Sequence, residues 1–195
     1  MNMKRSFILA IGLLACASTV VNAGEKQQQI PNRLIDYPGF VSDASKVGSQ
    51  RETRRVTEER FIQMAGDPAT VVLDARSGEK YRLLHVKGAK NLSLPDFTAD
   101  ELKKIIPEKS TRVLIYCNNN FENEPVAFAS KVARASLNIY TFNSLYSYGY
   151  TNVYELGPLL DIKKSKLPFE GTSVEQQVSA SLLCPAPIAP TTAPR

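Results

Sequence analysis

Short apolar runs alternate with amphipathic segments along the middle of the chain, and this pattern predicts a mixed α/β domain. The run 113–116 is β-branched and aromatic without Gly or Pro, which is typical of a buried strand, and 70–74 and 54–56 are predicted as further strands. Helices are predicted at 58–64 and 98–106, between the strands. Strands that alternate with helices favour a parallel sheet covered on both faces.

Both predicted helices have start and stop signals. Thr57 precedes the first helix, and Thr98 precedes the second with Glu101 at capping-box spacing. Gly66 follows the first helix and Pro107 stops the second. The two helices are therefore bounded at both ends by residues that favour helix termini.

The N-terminus has the features of an export signal. Two basic residues precede an apolar run at 7–21, and its end at 21–23 fits the small-x-small cleavage rule. This predicts a signal peptide at 1–23 and an exported, periplasmic protein. The segment 13–16 also resembles a lipoprotein box, which would instead attach the protein to a membrane through a lipid on Cys16. The first interpretation is favoured because the apolar run continues past Cys16.

The remainder of the chain divides into three parts by composition. Residues 24–50 are polar, with scattered Pro, Gly and Ser, and are predicted to form an N-terminal arm with little regular structure. The folded domain is predicted at 51–165. The C-terminal extension, 166–195, becomes rich in Pro, Ala and Thr after Cys184 and is predicted to be disordered at its end.

The charge of the chain bears on the partners that are expected for it. The formal net charge is only +5 over 195 residues, a weak basic balance that argues against nucleic acid as a partner. The dense charged run at 51–60 alternates in sign, as a solvent-exposed face does. A membrane partner is expected only if Cys16 carries a lipid.

Cys117 is the candidate nucleophile. It follows the predicted strand 113–116 and precedes residues that favour turns, so it lies at the carboxyl end of a strand, where open α/β sheets bind ligands. Loop amides and a helix N-terminus at this edge would stabilise a thiolate. The alternative is that Cys117 is a small buried hydrophobic residue. With His85 as the only histidine and Cys184 far away, no zinc spacing is present, and neither a metal nor a cofactor is expected.

Three segments in order resemble the motifs of rhodanese-like domains. The first, 71–92, is similar to that family's opening motif and matches it at Asp74, Arg76, Glu79, His85, Gly88, Ala89 and Asn91. The second is Cys117 at the loop position, and the third is 149–156, which looks like the family's last helix-to-strand turn and strand. The resemblance covers roughly 54–160 and implies a rhodanese-like parallel sheet with helices on both faces.

The resemblance implies a sulfurtransferase. Cys117 would take sulfane sulfur from thiosulfate or a similar donor, hold it as a persulfide, and pass it to a thiol or cyanide acceptor. The implied substrate-binding residues follow it, and they are Asn118, Asn119, Asn120, Phe121, Glu122 and Asn123. The resemblance also implies that Asp74, Arg76 and His85 support the structure around the site and take no part in the reaction. A Cys-His dyad of the protease type is a less favoured alternative.

The loop departs from the family pattern where an arginine is expected. Glu122 and Asn123 occupy the arginine positions of Cys-x4-Arg and Cys-x5-Arg motifs. A phosphatase is disfavoured because a phosphate dianion would meet a carboxylate instead of a guanidinium. The missing arginine also weakens the interpretation that the chain is a sulfurtransferase. The alternative is a non-catalytic rhodanese-like module that binds a protein partner or a small anion, or senses redox state.

The spacing after Cys117 predicts an insertion. Cys117 lies 32 residues before Gly149, more than one loop and one helix require. One alternative is a helix that begins at Pro125 and runs to about Ala133. The other is a long irregular loop over 118–136, with the family's own helix at 137–148.

Two basic residues of this insertion are candidate anion-binding groups. Lys131 and Arg134 could fold back to supply the positive charge that the loop after Cys117 lacks. The alternative is that each is an ordinary exposed side chain.

Overall fold

The computed structural model describes residues 30–174 and 176. The chain forms two compact units, with the second beginning at Asp36. In the described part of the first unit, the Ile35 amide donates to the Asn32 carbonyl at 3.2 Å. The helices and strands described below all belong to the second unit.

Helices and strands alternate along the second unit. The helices are α1 (Tyr37–Glu52), α2 (Glu58–Ala65), α3 (Gly78–Leu83), α4 (Ala99–Ile105) and α5 (Leu137–Ser147), with short 3-10 turns at Leu94–Asp96, Asn118–Asn120 and Ala133–Ala135 and a helical turn at 172–174. The strands are β1 (Arg55–Val56), β2 (Thr70–Asp74), β3 (His85–Val86), β4 (Lys90–Asn91), β5 (Arg112–Tyr116), β6 (Phe121–Glu122), β7 (Val153–Leu156), β8 (Leu160–Asp161) and β9 (Phe169–Glu170).

Five strands form a parallel sheet in the order β1-β7-β5-β2-β4. In the central pair, β2 and β5 run in register from Thr70 opposite Arg112 to Asp74 opposite Tyr116. Successive β5 residues belong to two different core clusters, with Leu114 on one face and Ile115 on the other. The sheet is therefore covered on both faces, as parallel sheets are, and the predicted α/β fold class is confirmed.

The predicted helix starts are confirmed. The Thr57 hydroxyl accepts from the Arg60 amide at 3.2 Å, and the Thr98 hydroxyl accepts from the Glu101 amide at 3.2 Å. Each contact satisfies an amide that has no acceptor within its own helix. The predicted strands at 54–56, 70–74 and 113–116 also match β1, β2 and β5.

The prediction of little regular structure in the N-terminal arm is wrong for residues 37–50, because α1 occupies this stretch. The Asp36 carboxylate accepts from the Gly39 amide at 2.9 Å, and a proline lies in the first turn. Arg51 then donates from Nε and Nη2 to the two carboxylate oxygens of Glu155, each at 2.6 Å. A cap and a bidentate ion pair thus hold a helix whose polar composition resembles that of a linker.

The folded unit also extends past the predicted domain limit at residue 165. Strand β9 pairs antiparallel with β3, with Val86 opposite Phe169, and Leu167 is buried in the core. The predicted signal peptide at 1–23, Cys16 and Cys184 lie outside the described residues. No helix within the described part of the chain is long and apolar enough to cross a bilayer.

The insertion between Cys117 and α5 is irregular, so the second of its two predicted alternatives is confirmed. It contains two 3-10 turns and β6, and α5 begins only at Leu137. The predicted helix from Pro125 to Ala133 does not form. Asparagine side chains of the Asn118–Asn120 turn bond the backbone of Ala129 and Lys131 instead, and such bonds compete with helix formation.

Candidate active site

A crevice opens at the carboxyl edge of the sheet, between the loops that follow β2 and β5. From β2 the chain crosses to β4 on one side, and it then returns to β5 on the other side of β2. The loops therefore diverge, which is the topological switch point where open α/β sheets bind ligands. The crevice holds a cavity of about 400 Å³, lined by residues that follow β2, β4 and β5 and by the insertion.

Cys117 lies directly at the end of β5, and the next residue, Asn118, lines the crevice. Its side chain is 1% exposed and forms no disulfide with another described residue. The sulfur is 3.4 Å from the hydroxyl oxygen of Ser136, and the Cys117 amide donates to Asn120 Oδ1 at 2.9 Å. The thiol is thus held in a fixed place with one hydroxyl group in contact.

Ser136 is a site residue that the sequence analysis did not identify. It immediately precedes α5, a position where serine usually accepts a bond from its own helix, yet its side chain makes no such cap. The hydroxyl contacts the Cys117 sulfur instead. A serine before a predicted helix was the available signal, but only the fold of the insertion brings it to the sulfur.

The Asn118 and Asn119 side chains hold the insertion against the loop after Cys117. Asn118 Nδ2 donates to the Ala129 carbonyl. Asn119 forms a pair of bonds with the Lys131 backbone, donating to its carbonyl at 2.7 Å and accepting from its amide at 3.0 Å. These two residues, which were predicted to bind substrate, therefore attach the insertion at Ala129 and Lys131 to the loop after Cys117.

Asn120 lies at the centre of the loop's hydrogen bonds. Its Oδ1 accepts from the Cys117 amide and from Asn138 Nδ2 at 3.0 Å. Its Nδ2 donates to the Leu156 carbonyl at 2.7 Å, which ties the loop to the end of β7. Asn120 is buried, and its polar atoms are engaged in positioning Cys117.

Asp74 and Arg76 form a buried ion pair at the end of β2. Arg76 Nη2 lies 2.6 Å from Asp74 Oδ2, and the guanidinium also donates to the carbonyls of Ala127 at 2.8 Å and Leu84 at 2.7 Å. The Tyr116 hydroxyl donates to the same Asp74 oxygen at 2.6 Å. This network joins β2, β5, the start of β3 and the insertion.

The network changes the acidity of its members. Burial acts to lower the pKa of Arg76, but the hydrogen bonds and charge of Asp74 outweigh it, so that pKa is raised. Burial, together with the charge of Asp74, holds the pKa of Tyr116 well above its ordinary value. The guanidinium charge is consequently committed to Asp74 and is not available to a bound anion.

Comparison with known proteins identifies the family. The rhodanese family model, described as a rhodanese-like domain, matches residues 57–157. The chain belongs to the rhodanese-like domain family. No curated protein is significantly similar to it.

Solved structures with related folds are distant in sequence. The solution structure of a rhodanese-like domain from an Anabaena protein is 21% identical, with 73% of this chain and 92% of that chain covered and a TM-score of 0.46. A structure described as a rhodanese with anions from E. coli is 23% identical, with 52% and 98% covered and a TM-score of 0.36. A Helicobacter pylori protein is 21% identical, with 64% and 94% covered and a TM-score of 0.42.

In this rhodanese-like domain the loop after the cysteine begins with a single 3-10 turn, Asn118–Asn120. The Asn120 amide donates to the Cys117 carbonyl at 3.1 Å, and the Phe121 amide donates to the Asn118 carbonyl. After this single turn the chain enters β6, which pairs with β8. The Asn120 and Phe121 amides are thus bonded within the turn that follows Cys117.

The last three predicted substrate-binding residues do not line the cavity. Phe121 is fully buried, and its ring packs 4.5 Å from that of Phe128 and 5.4 Å from that of Phe169. Glu122 is exposed in β6, and Asn123 adopts a left-handed backbone with a φ of 66°. These residues turn the chain away from Cys117, and the Glu122 carboxylate is not placed against the sulfur.

His85 lies in a different part of the rhodanese-like domain from the thiol's partners. Its Nδ1 is 2.8 Å from the Tyr81 carbonyl oxygen, and its ring stacks on Tyr81 with centroids 3.8 Å apart. Its Nε2 is 3.7 Å from Glu170 Oε2. Neither His85 nitrogen has Cys117 as a partner within the described residues, so the structure shows no Cys-His dyad.

The two candidate anion-binding residues of the insertion have different positions. Lys131 lines the cavity, whereas Arg134 is an exposed residue on the Ala133–Ala135 turn outside it. Lys80 of α3 also lines the cavity, and the sequence analysis did not identify it. No group of three metal-ligating side chains occurs within the described residues.

Proposed function

We propose that this protein is a sulfurtransferase of the rhodanese type, which moves sulfane sulfur from thiosulfate or a similar donor to a thiol or cyanide acceptor. The observation that supports the proposal is a cysteine with a free thiol, Cys117, at the switch point of a rhodanese-like sheet. Asn118, the residue that follows Cys117, lines a cavity large enough for a substrate.

The reaction has two displacement steps at sulfur. In the first, the Cys117 thiolate attacks the outer sulfur of thiosulfate, a bond forms between the two sulfurs, and sulfite leaves with the electron pair of the broken bond. In the second, the acceptor attacks that outer sulfur, and the electron pair of the broken bond returns to Cys117. The protein ends in its starting state.

Ser136 supports the thiolate in this scheme. A hydroxyl donor 3.4 Å from the sulfur can bond the anionic form, and hydrogen bonds to charged groups are stronger than those to neutral groups. It supplies part of the stabilisation that an arginine in the loop would give. The remaining charge comes from Lys131 and Lys80 at the cavity.

A second function is favoured by one specific observation. Cys117 is 1% exposed, so a donor molecule reaches the sulfur only if the covering insertion moves. A non-catalytic module that binds a protein or small anion, or senses redox state, needs no such movement. Glu122 in place of a loop arginine favours the same alternative.

Mass spectrometry of the purified full-length protein after incubation with thiosulfate tests the proposal. A gain of one sulfur, about 32 Da, is expected on the wild type and on Cys184→Ser, and is expected to be absent from Cys117→Ser. A folded wild-type protein that never gains this mass would favour the binding module. A gain on Cys117→Ser would place the chemistry elsewhere.

Export belongs to the same proposal. A signal peptide at 1–23 would deliver the domain to the periplasm, and a lipid on Cys16 would instead hold it at a membrane. The intact mass of the protein isolated from its native cell separates an N-terminus at Gly24 from a lipidated Cys16. An N-terminus at Met1 would contradict both.

A further inference from the structure

Helix α1 is an addition to the rhodanese-like domain, because it precedes the residues that the family model matches. Of its 16 residues only Val47 is buried. Its N-terminal half leaves Tyr37 70% exposed and Phe40 and Val41 each 44% exposed. A helix that buries so little apolar surface against its own domain offers the rest to a partner.

The exposed apolar side chains of the second unit concentrate on α1 and on α5 beside it. Nine large ones are exposed among the described residues of this unit, and five of them lie on these two helices. Ile139 and Tyr140 of α5 join the three residues of α1, and both line a cavity of about 100 Å³ together with Phe40. These five side chains form the α1–α5 face. Apolar surface that is gathered in one place marks an interaction site more often than scattered residues do.

One line of residues on α1 has the spacing of a helix–helix seam. Tyr37, Val41, Ala44 and Gly48 follow one another at intervals of four, three and four residues, which is the 3.5-residue period of a coiled coil. None of the four is buried. The two large side chains lie in the N-terminal half of the helix, and the two small residues lie in the C-terminal half.

The C-terminal end of this line is an open notch at Gly48. A Cβ atom at this position would meet no atom within 4 Å outside its own stretch of helix. Gly48 and Ala44 also line the cavity between α1 and α5. Glycine in a helix interior is less stable than alanine, so the helix by itself does not favour a glycine here. The notch can instead receive a side chain from outside.

A second copy of α1 in the antiparallel direction would place the large side chains opposite the small residues. With the two-fold axis between positions 42 and 43, Tyr37 meets the partner's Gly48 and Val41 meets the partner's Ala44. A two-fold interface uses the same surface on both copies, so both notches are filled. A parallel pair would instead set Tyr37 against the partner's Tyr37 and leave both notches empty.

We propose that this protein forms a symmetric homodimer through the α1–α5 face, with the two α1 helices antiparallel. Tyr37 of each copy packs into the notch at the partner's Gly48, and Ile139 and Tyr140 flank the helix pair. The small residues let the two helices approach closely and gain van der Waals contact. One helix and part of a second make a small interface, so we expect a reversible dimer with a Kd on the order of 10 µM. The dimer does not depend on the chemistry of Cys117.

Sedimentation velocity of the purified full-length protein, from about 1 to about 200 µM, tests the dimer. The mean mass of the wild type is expected to rise from that of a monomer to that of a dimer over this range. Tyr37→Ala and Gly48→Leu should each raise the Kd at least about tenfold, because each change occurs twice in the interface. Ser49→Leu is the matched control, since this exposed neighbour lies off the line of contact, and it should leave the Kd unchanged.

The double variant Tyr37→Ala/Gly48→Leu tests the antiparallel pairing. The new leucine side chain would occupy the space that the partner's tyrosine has left. The double variant is therefore expected to dimerise more tightly than either single variant, with a Kd within about threefold of the wild type. A Kd higher than that of both single variants would overturn this pairing.

Other outcomes would overturn the dimer itself. A wild type that stays monomeric up to about 200 µM would do so, as would a Gly48→Leu variant that dimerises like the wild type. A monomeric wild type that floats with phosphatidylcholine vesicles would assign the α1–α5 face to a lipid surface instead. Urea denaturation should show that Gly48→Leu keeps the stability of the monomer, because the added Cβ meets no neighbouring atom. If Gly48→Leu fails to fold, Tyr37→Ala, which changes a 70% exposed side chain, still decides the result.

Discussion

Two neighbouring loops leave the carboxyl edge of the central sheet, and they are held in opposite ways. The loop after β2 is fixed by the buried ion pair of Asp74 and Arg76, whose charges face each other and the backbone. The loop after β5 is fixed by the neutral amides of Asn118, Asn119 and Asn120. The charges of the first loop are paired. The second loop has a free thiol, Cys117, and a side-chain carbonyl oxygen, Asn118 Oδ1, that has no hydrogen-bond partner among the described residues.

Because of this difference, we expect the two loops at one edge of the sheet to have different roles. A saturated charged network resists rearrangement, because breaking it leaves an unpaired buried charge. Neutral amide bonds are individually weaker, so the covering segment at Ala129 and Lys131 can be released at a lower cost. We therefore expect the β2 loop to control stability and the β5 loop to control access to Cys117.

The largest effect is expected from removing the guanidinium of the β2 loop. Arg76→Leu leaves Asp74 buried without its charge partner and should lower the free energy of unfolding by about 3–5 kcal/mol. Urea denaturation measures this loss. The double variant Asp74→Asn/Arg76→Leu is expected to be more stable than Arg76→Leu, since no unpaired charge remains. A single variant as stable as the wild type would show that the network is not the support of this edge.

A smaller loss is expected in the loop after β5. Asn120→Ala removes bonds to the Cys117 amide and the Leu156 carbonyl and should cost about 2 kcal/mol. Asn119→Ala, the matched change at a half-buried position, should cost less than about 1 kcal/mol but should speed alkylation of Cys117 by iodoacetamide. Equal stability losses for the two variants would contradict the central position of Asn120.

The hydroxyl at the sulfur is expected to affect reactivity and not stability. Ser136→Ala removes the donor 3.4 Å from Cys117 Sγ and should slow alkylation at neutral pH about fivefold, because the thiolate loses a hydrogen bond. Ser136→Thr keeps a hydroxyl and should restore most of the rate. Ser147→Ala, at the other end of α5, is the control. An unchanged rate in Ser136→Ala would remove Ser136 from the site.

The smallest effect concerns alkaline pH. Burial and the Asp74 charge raise the pKa of Tyr116 well above its ordinary value, so the hydroxyl keeps its proton in the folded state while it ionises in the unfolded chain. The folded state then binds more protons, and stability should fall by about 1 kcal/mol per pH unit above about pH 10.

Tyr116→Phe provides the control for this pH dependence. The variant lacks the bond to Asp74 and should be less stable at pH 8, but its stability should fall less steeply above pH 10. Urea midpoints at pH 8, 10 and 10.5 give both values. Parallel curves for the two proteins would mean that another group dominates in this range.

The sequence predicted the central fold because the strongest signals there are local. Strands β2 and β5 are apolar runs, and Thr57 and Thr98 cap helices at the expected spacing. Helix α1 could not be predicted in the same way. Its ion pair with Glu155 joins residues far apart in the chain, and its polar composition is that of a linker.

The candidate site was only partly predictable. Cys117 was identified from its place after a strand, and the family motif pointed to the loop that follows it. Ser136 and Lys80 were missed because their positions depend on how the insertion and α3 are arranged around the cavity. The family resemblance assigned the asparagines to the substrate, and the sequence held no signal for their side-chain bonds to Ala129 and Lys131, which are 11 and 12 residues away.

The antiparallel pair of β3 and β9 has a consequence for the order of folding. His85 of β3 lies opposite Glu170 of β9, so β3 can pair only after a strand much later in the chain has been synthesised. Such long-range pairing is slow to form, since a large loop must close first. A nascent chain that has emerged only to residue 157, the end of the family match, would still lack the partner of β3. Truncation after residue 157 should therefore leave this strand edge open to association with other chains.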